Sequence, residues 1–355
     1  MNRIDRYIFK TIVSTALAAL LVLMLLDAFI TLMSELKELG EGDYGLGSAF
    51  QYLLLTLPRR VYELFPMALL LGGLMGMGAL ANSSELVVMR AAGCSILRLV
   101  SPAMQAGLVL GLVAVVLGEF LAPQTERLAQ ELRARAQNKA ISINDGKGFW
   151  ARDGNAIINV RAVLPGNILA DIYIYELGEK SDLRSLGRAQ TGRFIDGQWV
   201  LEGLSRSVIH PDRVVIENIP RLAVVGSVIS PDMLEVLACD PEDLSMRDSL
   251  HYIDYLEANG LDARAHQLTY WLKVLAPLTN MTLLFVAMPF VFGPQRSARA
   301  GQRLLIAILI GLLFFLVNRM LSNWVLLYGY HPFLGASLPT VLFFAGGAWA
   351  LTRVR

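Results

Sequence analysis

The chain has 355 residues, of which 55% are hydrophobic and only 17% charged, and its mean hydropathy is +0.50. Soluble domains carry about 25% charged residues, so this composition excludes an ordinary soluble globule and points to a membrane protein. A formal net charge of +1 argues against nucleic acid as the main partner.

A bilayer core about 30 Å thick needs roughly 20 apolar residues in helical form. Six runs meet that length, in chain order Thr11–Met33, Val61–Ala81, Leu97–Leu121, Trp271–Phe292, Leu304–Leu327 and Pro332–Leu351. The first is too long for the apolar region of a signal peptide and reads as a retained span. The second has a long lead-in. From Phe50 to Ser84 a continuous helix would run about 52 Å, so Pro58 is expected to break or bend it, leaving Arg59, Arg60 and Glu63 near one interface. Lys and Arg are distributed unevenly among the loops. Arg3, Arg6, Lys10, Arg90, Arg98, Arg296, Arg299, Arg303, Arg353 and Arg355 all fall on one side of a six-span chain. By the positive-inside rule that side is cytoplasmic. Both termini are then cytoplasmic, and the stretch between spans three and four lies outside. Cys94 and Cys239 fall on opposite sides and form no disulfide framework.

The fold class expected is therefore a membrane α-helical protein with six transmembrane helices in a 3+3 layout. An antiparallel β-jellyroll domain is inserted between the halves. The division is 1–122 for spans one to three, 123–262 for the outer domain with flanking helices, and 263–355 for spans four to six. The outer domain opens with the amphipathic QTERLAQELRARAQNK. It then changes to period two, where FWARDGNAIINV, ADIYIYEL, GRFIDGQWVLEG and DRVVIENI read as strands. Asp153–Gly154 and Asp196–Gly197 read as hairpin turns. LSMRDSLHYIDYLEANG reads as a helix capped by Ser245 and ended by Gly260.

The sequence holds no GxxxxGK[ST], no HExxH, no GxSxG and no Cys/His cluster, and its four histidines are scattered. Nothing favours a catalytic site, and ATP hydrolysis is not expected from this chain. Ionisable residues inside the spans carry more information. Asp27, Glu119 and Arg319 sit at depths where charge is costly. Such groups either serve a wet cavity or reach back to an interface; Arg319 is read as facing a cavity.

Between spans two and three lies SSELVVMRAAGCS. Ser84 reads as an N-cap and Gly93 as the residue past the C-terminus of a helix spanning 85–92. At about 100° per residue, Val87, Val88, Ala91 and Ala92 form one apolar face, expected against the membrane bundle. Glu85, Leu86, Met89 and Arg90 form the other, which suits a groove in a soluble partner. A helix lying at the lipid surface with nothing docked is the alternative.

The segment SELVVMRAAG resembles the coupling helix of the LptF/LptG family of lipopolysaccharide export permeases. DRYIFKT, FPMALLLGGLMGMGALA, GEFLAPQ, FWARDGN and VFGPQRS match that family in order along the whole chain. DRYI and FGPQRS are more similar to the LptG branch. The resemblance implies a non-catalytic permease of a bacterial inner-membrane ABC transporter that extracts lipopolysaccharide. It implies pairing with the homologous permease LptF, and an LptB ATPase dimer that binds ATP and Mg; no cofactor is expected in this chain. It further implies association with LptC and the periplasmic bridge LptA. Glu85, Leu86, Met89 and Arg90 would contact the ATPase. Lys37, Arg59 and Arg133 match positions that present positive charge to lipid A phosphates, and Arg60 and Arg319 join them as candidate substrate-binding residues. One departure stands out: where relatives carry a lysine pair, this chain has Lys37–Glu38. A secondary transporter, or a scaffold anchoring a periplasmic lipid bridge, are the alternative readings. ATPase copurification and lipid extraction in proteoliposomes separate them.

Overall fold

The computed structural model describes residues 2–137, 141–142, 149–153, 155–164, 168–178, 182–195, 198–210, 212–224, 244–292 and 300–353. They divide into two compact units. One comprises Met1–Glu35, Leu53–Glu126 and Arg264–Arg355; the other comprises Leu36–Tyr52 and Arg127–Ala263.

The first unit is a helical bundle. Its helices are α1 (Arg3–Glu35), α2 (Leu46–Asn82), α3 (Glu85–Ala91), α4 (Ile96–Val116), α7 (Arg264–Phe292), α8 (Ala300–Tyr328) and α9 (Pro332–Thr352). A π-turn, Leu117–Leu121, joins α4 to α5 (Ala122–Ala136). Among the described residues, six helices are long and apolar enough to cross a membrane. The central one is α2. Its most apolar stretch is 67% buried, against 17% for α1 and 11% for α8, and it contributes to all three apolar clusters of the bundle.

Of the break or bend expected at Pro58, there is no break: the helix runs unbroken through Pro58 and Pro66. A proline removes one backbone donor, and neighbouring side chains and helices in a membrane bundle compensate for that loss. Glycines set how closely the helices approach. A Cβ on Gly72 would lie 2.3 Å from Ala16 Cα, and one on Gly73 would lie 2.1 Å from a Leu284 methyl. The Thr15 hydroxyl donates to the Gly72 carbonyl at 2.8 Å.

The second unit carries the inserted antiparallel sheet. Its strands are β1 (Ile141–Ser142), β2 (Phe149–Asp153), β3 (Ala156–Leu164), β4 (Ile168–Leu177), β5 (Leu183–Ile195), β6 (Gln198–Ile209) and β7 (Val214–Val224). From β3 onward each strand pairs with its chain neighbour, and β1 and β2 both pair with β3. Ile195 pairs with Gln198 across the expected Asp196–Gly197 turn; those two residues, like Gly154, lie outside the described residues.

A crease crosses this sheet. The flanking pairs bracket Arg161, Asp171, Gln190, Gly203 and Pro220 in one transverse row over five strands. At that row the inward face changes phase. Leu169 and Ile172, Leu201 and Leu204, and Ile219 and Leu222 all join the same core although each pair is three residues apart. Strands normally repeat every two residues. Positive φ at Asp171 (53°) and Gly203 (66°) makes the change. Asp171 is held there by Arg188 at 2.7 Å and Arg161 at 3.8 Å.

Helix α6 (Met246–Ala258) begins as expected, with the Ser245 hydroxyl accepting from Asp248 N at 3.0 Å. Gly260, φ 66°, ends it. Tyr252 packs against the sheet core. Burial, reinforced by neighbouring Tyr255, pushes its phenol from 10.0 up to about 12. The unfolded chain ionises this group first. The stability it contributes is therefore fully present below about pH 10 and lost as pH rises through about 12. Difference titration of phenolate absorbance against Tyr252→Phe is expected to show one tyrosine ionising near pH 12, and the variant to lose less stability over that interval.

Candidate functional site

Helix α3 is short and is held by its neighbours. An isolated helix of this length is marginal in water. Leu86 is 3% exposed and lies in the cluster formed with Ile8, Ile12, Leu80, Leu99 and Phe292. Met89 packs against the same cluster. The helix ends in a Schellman motif: Gly93 N donates to Arg90 O at 3.0 Å, and Cys94 N to Met89 O at 3.1 Å, with Gly93 at φ 89°. Ser84 departs from expectation. It adopts φ 61° and makes no side-chain cap. Instead, the Ser83 hydroxyl donates to Glu85 Oε1 at 2.8 Å.

The apolar residues of α3 face the opposite way to that expected, whereas Arg90 is exposed as expected. Leu86 and Met89, assigned to a partner, are turned into the bundle. Val87 and Val88, assigned to the bundle, are 48% and 66% exposed. Leu97, 71% exposed, adds to the outward apolar surface, and Arg90 is exposed on the same helix. The larger side chains fill the interior because they bury more area per residue.

Arg59 and Arg60 belong to a chain of charges across α1, α2 and α5. Arg59 Nε meets Glu63 Oε1 at 2.8 Å, and its Nη1 meets Glu126 Oε1 at 3.5 Å. Arg60 pairs with Asp27 Oδ2 and Glu63 Oε2, each at 3.6 Å. Two guanidinium groups thus face three carboxylates. Asp27 finds its counter-charge within the chain, which is how such a residue is accommodated in a span. Glu119 lies in the π-turn, a feature frequent at functional sites. The adjoining Gly118 lies against the Tyr62 ring, which a Cβ would approach to 2.6 Å.

In the second unit, Arg133 near the end of α5 meets Glu38. Its Nε donates to Glu38 Oε2 at 3.0 Å and its Nη2 to Glu38 Oε1, forming a fork. Gln137 Nε2 donates to Glu38 Oε2 at 2.7 Å. The guanidinium carbon lies 5.2 Å from the centre of the Tyr52 ring. Glu38 closes the 3-10 turn Leu36–Glu38. The loop that follows is pinned to α5: Asp43 N donates to Ala136 O at 2.7 Å. Gly42 adopts φ 60° where a Cβ would come within 2.8 Å of Ala136 O. Lys37 is exposed, with no carboxylate partner among the described residues. Arg319 is exposed on α8, in a stripe with Leu312, Phe315, Leu316 and Met320.

The creased sheet encloses an apolar cavity of about 160 Å³, lined by Ile158, Ile172, Ile174, Trp199, Leu201 and Leu204 among others. Glu176, Ser185 and Arg206 also line it. There Ser185 Oγ donates to Glu176 Oε2 at 2.7 Å, and Arg206 pairs with Glu176.

Residues 6–353 match the family model described as lipopolysaccharide export system permease LptF/LptG. The chain belongs to the LptF/LptG family. It is 35% identical over 352 residues to the Escherichia coli K12 lipopolysaccharide export system permease protein LptG, covering 99% of this chain and 98% of the relative. It is 34% identical over 358 residues to LptG of Haemophilus influenzae, covering 100% and 99%. Identity to E. coli K12 LptF is 25% over 333 residues, covering 90% and 86%. As in the sequence reading, the likeness to the LptG branch is the stronger. Within this family frame, sequence reasoning noted Glu38 beside Lys37 but missed its pairing with Arg133, and missed Gln137 and Tyr52 around Arg133 and Ser83 beside Glu85. Helical spacing alone made Leu86 and Met89 a coherent stripe, and their size was the signal for an inward orientation.

Leu86→Ala is expected to cost ~2–5 kcal/mol locally and to unseat α3. Hydrogen exchange should rise across 85–92 and remain unchanged in the sheet.

Proposed function

We propose that this chain is the LptG-type permease subunit of a lipopolysaccharide exporter in a bacterial inner membrane. It pairs with an LptF-type permease around a lipid-holding cavity. Support comes from the full-length relationship to export permeases and from the open apolar faces of α1 and α8, where Leu21, Leu25, Phe29, Leu309, Leu313 and Leu316 are all exposed. Such faces suit a sister subunit and acyl chains. The termini and α3 are cytoplasmic and the sheet periplasmic in this reading, following the distribution of Lys and Arg.

Hydrolysis belongs to a partner ATPase of the LptB type, which binds ATP and Mg, with LptC and LptA as further partners. The observation that carries the coupling role is the outward surface of α3. Val87, Val88 and Leu97 offer apolar anchors beside the charge of Arg90, on a helix held through Leu86. ATP-driven closure of the partner would pull on α3 and, through Leu86 and Met89, on α1, α2 and α4. Cations would then hold the phosphorylated head of the lipid. Lys37 and Arg319 are exposed for that role, whereas Arg59, Arg60 and Arg133 must first exchange their carboxylates.

Val88→Asp places a charge in the docking surface and leaves the bundle core intact. It is expected to reduce ATPase copurification by about tenfold or more, as for an interface hot spot, and lipopolysaccharide extraction from proteoliposomes in proportion. Normal copurification and extraction would overturn the coupling role of this surface.

A further inference from the structure

Resting on that reading, we propose that Glu38 is a displaceable internal counter-anion on Arg133 that selects lipids with phosphomonoester heads over phosphodiester phospholipids. The fork of Arg133 on Glu38 is the geometry a guanidinium offers to a phosphate. The carboxylate therefore occupies the place an anionic head would take. The pair is within reach of solvent, its side chains 26% and 33% exposed. The fork, with Gln137 also donating to Glu38, resists an anion of equal charge, and only a more highly charged one displaces the carboxylate.

Charge decides which anion succeeds. A phosphodiester carries one negative charge, as Glu38 does, and gains little by exchange. A phosphomonoester carries about −1.5 to −2, and the exposed Lys37 beside Glu38 adds attraction. The Tyr52 ring and the helical position of Arg133 keep the guanidinium in place during the exchange. Once displaced, Glu38 repels the incoming phosphate and must swing away. That movement is confined to the turn Leu36–Glu38, because Gly42 and Asp43 stay seated on Ala136.

The test uses the intact permease–ATPase complex in nanodiscs, with photoactivatable lipid A carrying phosphomonoesters and photoactivatable phosphatidylglycerol. Glu38→Gln, which keeps shape but removes charge, is expected to lower the lipid A to phosphatidylglycerol capture ratio about fivefold, the equivalent of ~1 kcal/mol. Glu38→Asp should keep the wild-type ratio, and adding Arg133→Gln to Glu38→Gln should remove the gain in phosphatidylglycerol capture. A ratio unchanged in Glu38→Gln overturns the role of Glu38 and leaves the permease reading intact. A wild-type complex that captures neither lipid overturns the permease reading itself. A second measurement needs no variant: wild type should capture photoactivatable phosphatidic acid, a phosphomonoester, about fivefold over phosphatidylglycerol of the same acyl chains. Equal capture overturns the selection.

Discussion

The bundle depends on the bare backbone of α2. The Thr15 hydroxyl reaches the carbonyl of Gly72 only because Gly72 has no side chain to keep α1 away. In a lipid environment no water drives helices together, so close backbone approach and interhelical hydrogen bonds carry the association. Gly73 of α2 and Gly107 of α4 each leave room for a methyl of Leu284 on α7. A larger residue at Gly72 would meet the backbone of α1 at Ala16 and force the two helices apart, whereas at Gly73 or Gly107 it would meet the end of the Leu284 side chain. The seat of α3 depends on this arrangement, because Leu86 is anchored by residues from α1, α2, α4 and α7 together.

A second theme is the balance of charge. Three of the four arginines that a sequence reading offers to substrate, Arg59, Arg60 and Arg133, are engaged within the chain, at Asp27, Glu63 and Glu126 in one unit and at Glu38 in the other. Pairing resolves the cost of charge at depth. It also means that any anionic ligand must compete for these groups, so the carboxylates are as much a part of the candidate site as the cations.

The elements legible in the sequence are those written in local chemistry. Long apolar runs gave the six spans, period-two alternation gave β2, β3, β4, β6 and β7, and the Ser245 and Gly93 caps stand where their residue types put them. Features set by packing or by distant residues were not legible. The first half of β5 buries Ser185, Gly187 and Ala189, small residues whose alternation leaves no hydrophobic signal. The orientation of α3 was decided by how well Leu86 fills a pocket made of four other helices. Continuity through Pro58 runs against the local signal, since proline alone reads as a break and is tolerated in membrane helices. Arg133 and Glu38 are 95 residues apart, beyond any spacing rule, so both residues were visible and their pairing was not.

The crease along Asp171, Gln190 and Gly203 has a consequence for how the domain comes into being. By bending one meander, the chain builds its core with no strand, among the described residues from β3 to β7, that crosses over its predecessors. Each segment from β4 to β7 finds its partner already synthesised, and loop-closure entropy stays small at every step. Such low contact order favours rapid assembly, hairpin by hairpin. The sheet can therefore be complete before the last three membrane helices leave the ribosome, and nothing in those helices has to wait for it.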